Sequence, residues 1–227
     1  MNLLIANRGE IAVRIARAAA ELGARTVAVY SQDDADSLHI RKAEHAVELA
    51  GNGPRAYLDG AALIAAALQA GCDTIHPGYG FLSESAAFAR DCAEAGLRFV
   101  GPSVEQLELF GDKGKARSLA QRLDVPVLRG TFGATTLEDA RFFLASLGSR
   151  GQMIIKASAG GGGRGMRFVA DDADLAEAFA RCQSEATAAF GRGDVYVEEF
   201  FPRARHIEIQ VIGDGRTVPH QIGRAHV

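Results

Sequence analysis

Residues 3–23 read LLIANRGEIAVRIARAAAELG, and the fold turns on how that stretch divides. Leu3–Ala6 is a short unbroken apolar run, the pattern of a strand buried on both faces. Beyond it Ile11, Ile15, Ala18 and Leu22 recur at i, i+4, i+7 and i+11, the spacing of one helix face, and Gly23 stands where a helix stops. The same alternation continues downstream. Thr26–Tyr30 reads as a strand, followed by the short apolar stretch Ala46–Leu49 and a helix over 59–70 that ends at Gly71. Thr74–His76 is a further strand, and a helix with Phe88, Cys92 and Ala95 on one face stops at Gly96 before Arg98–Gly101. Strands alternating with helices across short connections imply an α/β fold, a parallel sheet covered on both sides, over residues 1–110.

From residue 111 the pattern changes to α+β. A short helix between Pro102-Ser103 and Gly111-Asp112 links the halves. A helix over 112–123 turns Ala116, Leu119, Ala120 and Leu123 inward, and another starts at a Thr135 cap with Glu138 closing a capping box. Its apolar face is Ala140, Phe143, Leu144 and Leu147. Met153–Lys156 and Met166–Val169 are strands either side of a glycine loop, and Leu175, Phe179, Cys182, Ala186 and Phe190 mark a long helix. Val195–Glu199 and Arg205–Val211 follow as strands, with a hairpin turn at 213–215 and a return strand over 217–221. The second domain, 111–221, reads as incomplete.

Composition narrows the function classes. The chain has 227 residues, a formal net charge of −3, 48% apolar and 23% charged residues, which fits a globular protein and excludes a disordered or collagenous chain. No basic stretch interleaved with aromatics offers a nucleic-acid platform. The longest uncharged apolar run, Ala61–Leu68, is far shorter than the roughly 20 residues a bilayer span needs. Cys72, Cys92 and Cys182 are widely spaced and lack metal-ligand spacing, and no signal peptide is visible, so a cytoplasmic protein without a zinc site is expected.

The strongest chemical signal is KASAGGGGRGM, residues 156–166. Glycine costs roughly 0.5–1 kcal/mol in ordered structure, so five in six positions mark a place where side chains must be absent. Bare N–H groups there can solvate a polyphosphate, and Lys156 at the strand end adds a point charge. The loop is neither a Walker A loop nor a dinucleotide fingerprint, since no Gly-Lys-Ser/Thr follows and a strand rather than a helix comes next. Only four of the 25 basic residues are lysines: Lys42, Lys113, Lys115 and Lys156. Lys113 and Lys115 open a helix, where an anion could sit, although on its own the segment reads better as an Asp112 cap with solvated lysines until the glycine loop is added.

Glu198 and Glu199 end a strand and must face opposite ways, so only one can enter a cleft. Alternation puts His206, Glu208 and Gln210 on one face, either solvated or bordering a nucleotide. His76–Glu84 and Asn7–Glu10 lie at the carboxyl edge of the parallel sheet, where α/β folds bind ligands. The first of these is also explained as a structural turn with a serine helix cap. Arg14, Arg17 and Glu21 share one helix face, solvated or in contact with a second subunit.

In order, the segments ANRGEIA (6–12), HPGYGFLSE (76–84), Gly101-Pro102, Gly111-Asp112-Lys113, the 156–166 loop and RHIEIQ (205–210) resemble biotin carboxylase. The resemblance covers residues 2–220. It implies a pre-ATP-grasp, Rossmann-like domain followed by a truncated ATP-grasp domain, from the component of acyl-CoA carboxylases that uses ATP and bicarbonate to carboxylate biotin through carboxyphosphate. The resemblance implies that Lys113 and Lys156 hold ATP phosphates, Gly162 and Gly163 form the lid, and Glu198 accepts the adenine amine. It also places Glu199, Phe200 and Phe201 at the adenine hinge and His206 beside the ribose. Arg14, Arg17 and Glu21 correspond to the homodimer contact. Implied partners are a biotin carboxyl carrier domain and a carboxyltransferase.

The family's Mg2+ ligands, bicarbonate site and catalytic base lie downstream of this stretch, so no catalytic or metal-binding residue is assigned. Residues 222–227 read as a non-native tail, since in-frame translation of a common sequencing adapter gives the same residues. Pyruvate carboxylase, a carbamoyl-phosphate-synthase-like ligase and a non-catalytic nucleotide-binding fragment are the alternatives.

Overall fold

The computed structural model describes residues 1–149, 151–158, 165–213, 216–218 and 220–226. The chain divides into two compact units, 1–112 and 113–227.

In the first unit, β1 (Asn2–Ile5), α1 (Gly9–Glu21), β2 (Arg25–Ser31), β3 (His45–Leu49), α2 (Gly60–Gln69), β4 (Thr74–His76), α3 (Ala86–Glu94), β5 (Arg98–Phe99) and α4 (Val104–Phe110) follow in order. The strands form one parallel sheet in the order β3-β2-β1-β4-β5. The apolar run that opens the chain is explained by its two neighbours. Leu3 and Ile5 pack on α1 through Ala12, Ile15, Ala16 and Ala19, while Leu4 and Ala6 face Leu63, Ala67, Phe88 and Cys92 of α2 and α3. A strand covered on both faces cannot alternate apolar with polar.

The inward stripe of α1 is rotated from the expected one. Ala12, Val13, Ile15, Ala16 and Ala19 are buried, whereas Ala18 and Leu22 are exposed, Leu22 by 78%. Small alanines let the helix backbone approach the sheet, so Ile11, Ala18 and Leu22 instead line an apolar groove with Met1 and Val100. Arg14, Arg17 and Glu21 are exposed.

At the carboxyl ends of β1 and β4, where the strand order reverses, Asn7 is buried and its amide donates to Pro77 O at 2.6 Å and Tyr79 O at 2.9 Å. Gly78 has φ +67°, and a Cβ there would stand 2.8 Å from the Asn7 amide nitrogen. Gly78 N–H donates to His76 Nδ1 at 3.0 Å, and burial holds the His76 imidazole below its ordinary pKa. The motif is therefore a structural turn. Its serine cap is Ser85, which accepts from Phe88 N–H, just beyond the 76–84 segment.

The second unit contains α5 (Lys113–Arg122), α6 (Leu137–Ser146), β6 (Met153–Ala157), β7 (Met166–Val169), α7 (Asp172–Phe190), β8 (Val195–Glu199), β9 (His206–Val211) and β10 (His220–His226). An antiparallel sheet β7-β6-β8 lies against α6 and α7, with Met153, Ile155, Val195 and Val197 meeting Ala140, Leu144, Leu175, Phe179 and Cys182. The N-cap of α6 is Thr136, not Thr135. Thr136 and Asp139 bond each other's backbone N–H in a capping box, and Thr135 is drawn inward to the Thr131 hydroxyl at 2.5 Å.

On α5 only Gly114 is buried, and Leu123 is 64% exposed rather than inward. The hairpin of β9 and β10 is antiparallel, and the return strand starts at His220 and takes in residues 222–226. Its expected turn lies partly outside the described residues.

Candidate functional site

The register of β6 on β8 builds the site. Lys156 lies opposite Tyr196 and Ile154 opposite Glu198, while β7 sets Met166 beside Lys156 and Phe168 beside Ile154. Side chains alternate along a strand, so Met153, Ile155, Val195 and Val197 enter the core. Ile154, Lys156, Tyr196, Glu198, Met166 and Phe168 share the opposite face.

The free edge of β8 is covered by the segment around Gly130. Thr131 N–H donates to Val197 O and Glu199 N–H to Arg129 O, each at 2.9 Å. Val197 N–H donates to Thr131 Oγ1 at 3.0 Å, and Gly130 bridges Glu198. A Cβ on Gly130 would stand 2.5 Å from Val197 O and 2.9 Å from Arg117 Nη2. Only glycine lets the segment lie this close.

Glu198 is the centre of the arrangement. Its side chain is 8% exposed, and each carboxylate oxygen meets one cation: Arg117 Nη1 on Oε1 and Lys156 Nζ on Oε2. Arg117 comes from α5. Its Nη2 donates to Leu128 O at 2.7 Å, and its guanidinium lies 5.3 Å from the Phe132 ring centre and 6.0 Å from that of Tyr196. Burial, then the charge of Glu198, pushes the Tyr196 phenol well above its ordinary pKa, with Arg117 opposing.

Lys113 is the first residue of α5 and precedes Arg117 by four, so the two occupy one helix face. Glu199 points away from Glu198 by strand alternation and is partly buried. Phe200 N–H donates to Gln152 O at 2.8 Å, and its ring meets Phe168 edge-on at 5.0 Å. Phe201 is 50% exposed. His206 pairs with His226 in the hairpin ladder, and its side chain, like Gly162 and Gly163, lies outside the described residues.

Sequence reading missed Arg117, Gly130 and Tyr196. Arg117 had one legible signal, its i+4 spacing from Lys113. Among the described residues no group of three His, Cys, Asp or Glu stands together.

The arrangement sets a carboxylate acceptor beside an ammonium donor on one sheet face. Residues 1–107 match the family described as biotin carboxylase, N-terminal domain. These residues are a biotin carboxylase N-terminal domain. Residues 112–218 match the ATP-binding domain described for the carbamoyl-phosphate synthase L chain, which is the ATP-grasp part.

A biotin carboxylase from Campylobacter jejuni, solved with a β,γ-ATP ligand, superposes with a TM-score of 0.92 at 44% identity, covering 96% of this chain and 49% of that one. A pyruvate carboxylase of Staphylococcus aureus (strain Mu50 / ATCC 700699) is 50% identical over 215 residues, 93% of this chain and 18% of that protein. A single-chain, multi-domain long-chain acyl-CoA carboxylase matches at 42% identity and a TM-score of 0.74, covering 97% of this chain and 18% of that one. The chain thus spans about half of a solved biotin carboxylase and under a fifth of the multi-domain relatives. Biotin carboxylases are ATP-grasp ligases that use ATP, Mg2+ and biotin.

Proposed function

We propose that this chain forms the nucleotide-holding part of a biotin carboxylase. ATP transfers its γ-phosphoryl group to bicarbonate, giving ADP and carboxyphosphate. The carboxyl group then passes to N1′ of biotin on a carrier domain, with release of phosphate. The observation that carries the reading is the Glu198 carboxylate set beside the Lys156 ammonium on one sheet face.

Glu198 suits the edge of adenine, whose amino group needs an acceptor, and Lys156 stands ready beside it for the phosphates. Guanine turns a carbonyl toward Glu198 instead, and two acceptors repel. Ile154, Met166 and Phe168 supply an apolar floor for the purine. Lys156, with Lys113 at the start of α5, meets phosphate, and Gly162 and Gly163 cover it. Glu199, Phe200 and Phe201 form the hinge beside the base, and His206 lies on the ribose side. Mg2+ assists ATP chemistry in the family.

Arg14, Arg17 and Glu21, exposed on one face of α1, are the proposed homodimer contact. The carrier domain and the carboxyltransferase are the remaining partners. The transferase selects the final acceptor, so the acyl-CoA expected from the sequence stands beside pyruvate as a candidate. Three free, buried cysteines and the lack of a helix apolar enough to cross a membrane among the described residues support a cytoplasmic setting. The test is phosphate release from ATP by the complete protein that carries this chain. Release that requires bicarbonate, prefers ATP to GTP and falls roughly 10- to 100-fold in kcat/KM with Lys156→Ala is expected, the loss of one charge-assisted contact. Release indifferent to bicarbonate would overturn the reading.

A further inference from the structure

We propose that Arg117 is a positioning residue of this site: the permanent counter-ion that keeps Glu198 charged and aimed at the base while Lys156 is drawn away to phosphate. The inference rests on the nucleotide reading of Glu198 and Lys156 given above.

Glu198 is too buried to carry a charge uncompensated. Its two cations differ in freedom. Lys156 is 26% exposed and stands next to the last residue of β6. Arg117 is 11% exposed and held from several sides, by Leu128 O and by the rings of Phe132 and Tyr196. Its Nε is buried with no hydrogen-bond partner among the described residues, while Nη1 donates to Glu198 Oε1.

If Lys156 moves to a phosphate, Oε2 is the oxygen released to accept from the base. Without Arg117 the carboxylate would then be stranded. It would hold Lys156 back from phosphate. A guanidinium never gives up its proton at working pH, so it suits a charge that must persist through the nucleotide cycle.

The test compares Arg117→Lys, Arg117→Met, Glu198→Gln and the Arg117→Met/Glu198→Gln pair in the complete protein, measuring kcat and KM for ATP and for GTP. Arg117→Met is expected to raise the ATP KM roughly 10- to 100-fold with kcat changed far less, and to shrink the preference for ATP over GTP. Arg117→Lys, which keeps the charge but loses the fork, should fall between wild type and Arg117→Met. The double variant should be no worse than the more damaged single one, because Arg117 acts through Glu198. Equal losses with both nucleotides, or losses that add in the double variant, would mean a merely structural role and overturn the inference. If Glu198→Gln leaves the ATP KM unchanged, the nucleotide reading itself fails. If Glu198→Gln raises it and Arg117→Met does not, only the role of Arg117 fails. Should Arg117→Met not fold, an unchanged ATP KM in Arg117→Lys is the overturning result.

Discussion

Arg117 on α5 and Glu198 at the end of β8 are 81 residues apart in sequence and form a nearly buried ion pair. The Glu198 carboxylate is shared with Lys156, so one anion joins the helix that begins at Lys113 to the strand that leads into the glycine loop.

Gly130→Ala probes how close the β8 edge must be. The added Cβ would meet Val197 O at 2.5 Å, and a strand carbonyl cannot yield as a flexible side chain can. The variant is expected to lose about 1–3 kcal/mol, as overpacked sites do, and to bind ATP less tightly because Arg117 is displaced. Urea unfolding and nucleotide titration measure the two effects. An unchanged unfolding midpoint would show that the 129–131 segment is free to move.

Asp34 carries an acid-sensitive part of the stability. Its carboxylate accepts from Arg8 Nε and Nη2, from Ser37 Oγ at 2.7 Å and from the Tyr57 hydroxyl at 2.9 Å. The Arg8 hydrogen bonds are the main reason its pKa lies well below the usual carboxylate range. A depressed folded pKa means stability that is present above the unfolded value, near 3.9, and lost as pH falls toward the folded one. Asp34→Asn should cost about 1–2 kcal/mol at pH 7, a discounted figure because Arg8 is 41% exposed. Its thermal midpoint should approach that of the wild type at pH 2. A gap of constant size across that range would contradict the assignment.

The thiols should be inert in the folded protein. Burial pushes Cys92 up to about 12 and Cys182 up to about 11, and raises Cys72 as well. Cys182 Sγ also donates to Gly165 O at 2.9 Å. Iodoacetamide at pH 8 is expected to spare all three in the native state and to label all three in urea, as mass spectrometry would read. Native labelling at the rate of a free thiol would show that a core opens locally.

The α6 capping box separates two readings of one stretch. Thr136→Ala should cost about 1 kcal/mol, the usual loss of a side-chain cap. Glu138→Gln, at the position first expected to close the box, should stay within about 0.5 kcal/mol of wild type. Urea midpoints of the two variants decide it, and a larger loss at Glu138 would place the box at Thr135 and Glu138 instead.

Local pattern carried most of the fold. Apolar runs, helical spacing and stopping glycines located nearly every strand and helix, because each depends on residues within one or two turns of each other. The opposition of Glu198 and Glu199 was legible for the same reason, since alternation is a property of the strand alone. One-residue errors arose where two adjacent groups could do the same task, as at Thr135 and Thr136. The inward face of α1 is not legible locally, because alanine serves equally as core and as surface until the neighbouring sheet is in place.

What the sequence by itself determined is the alternation of elements and the side-chain-free loop after Lys156, both written in neighbouring residues. Tertiary structure alone decided that Arg117 meets Glu198, that Gly130 must lack a side chain, and that Lys156 and Arg117 share a single anion. Those contacts depend on the β6–β8 register and on where α5 is set against that sheet, and no stretch of chain short enough to read as a pattern contains both.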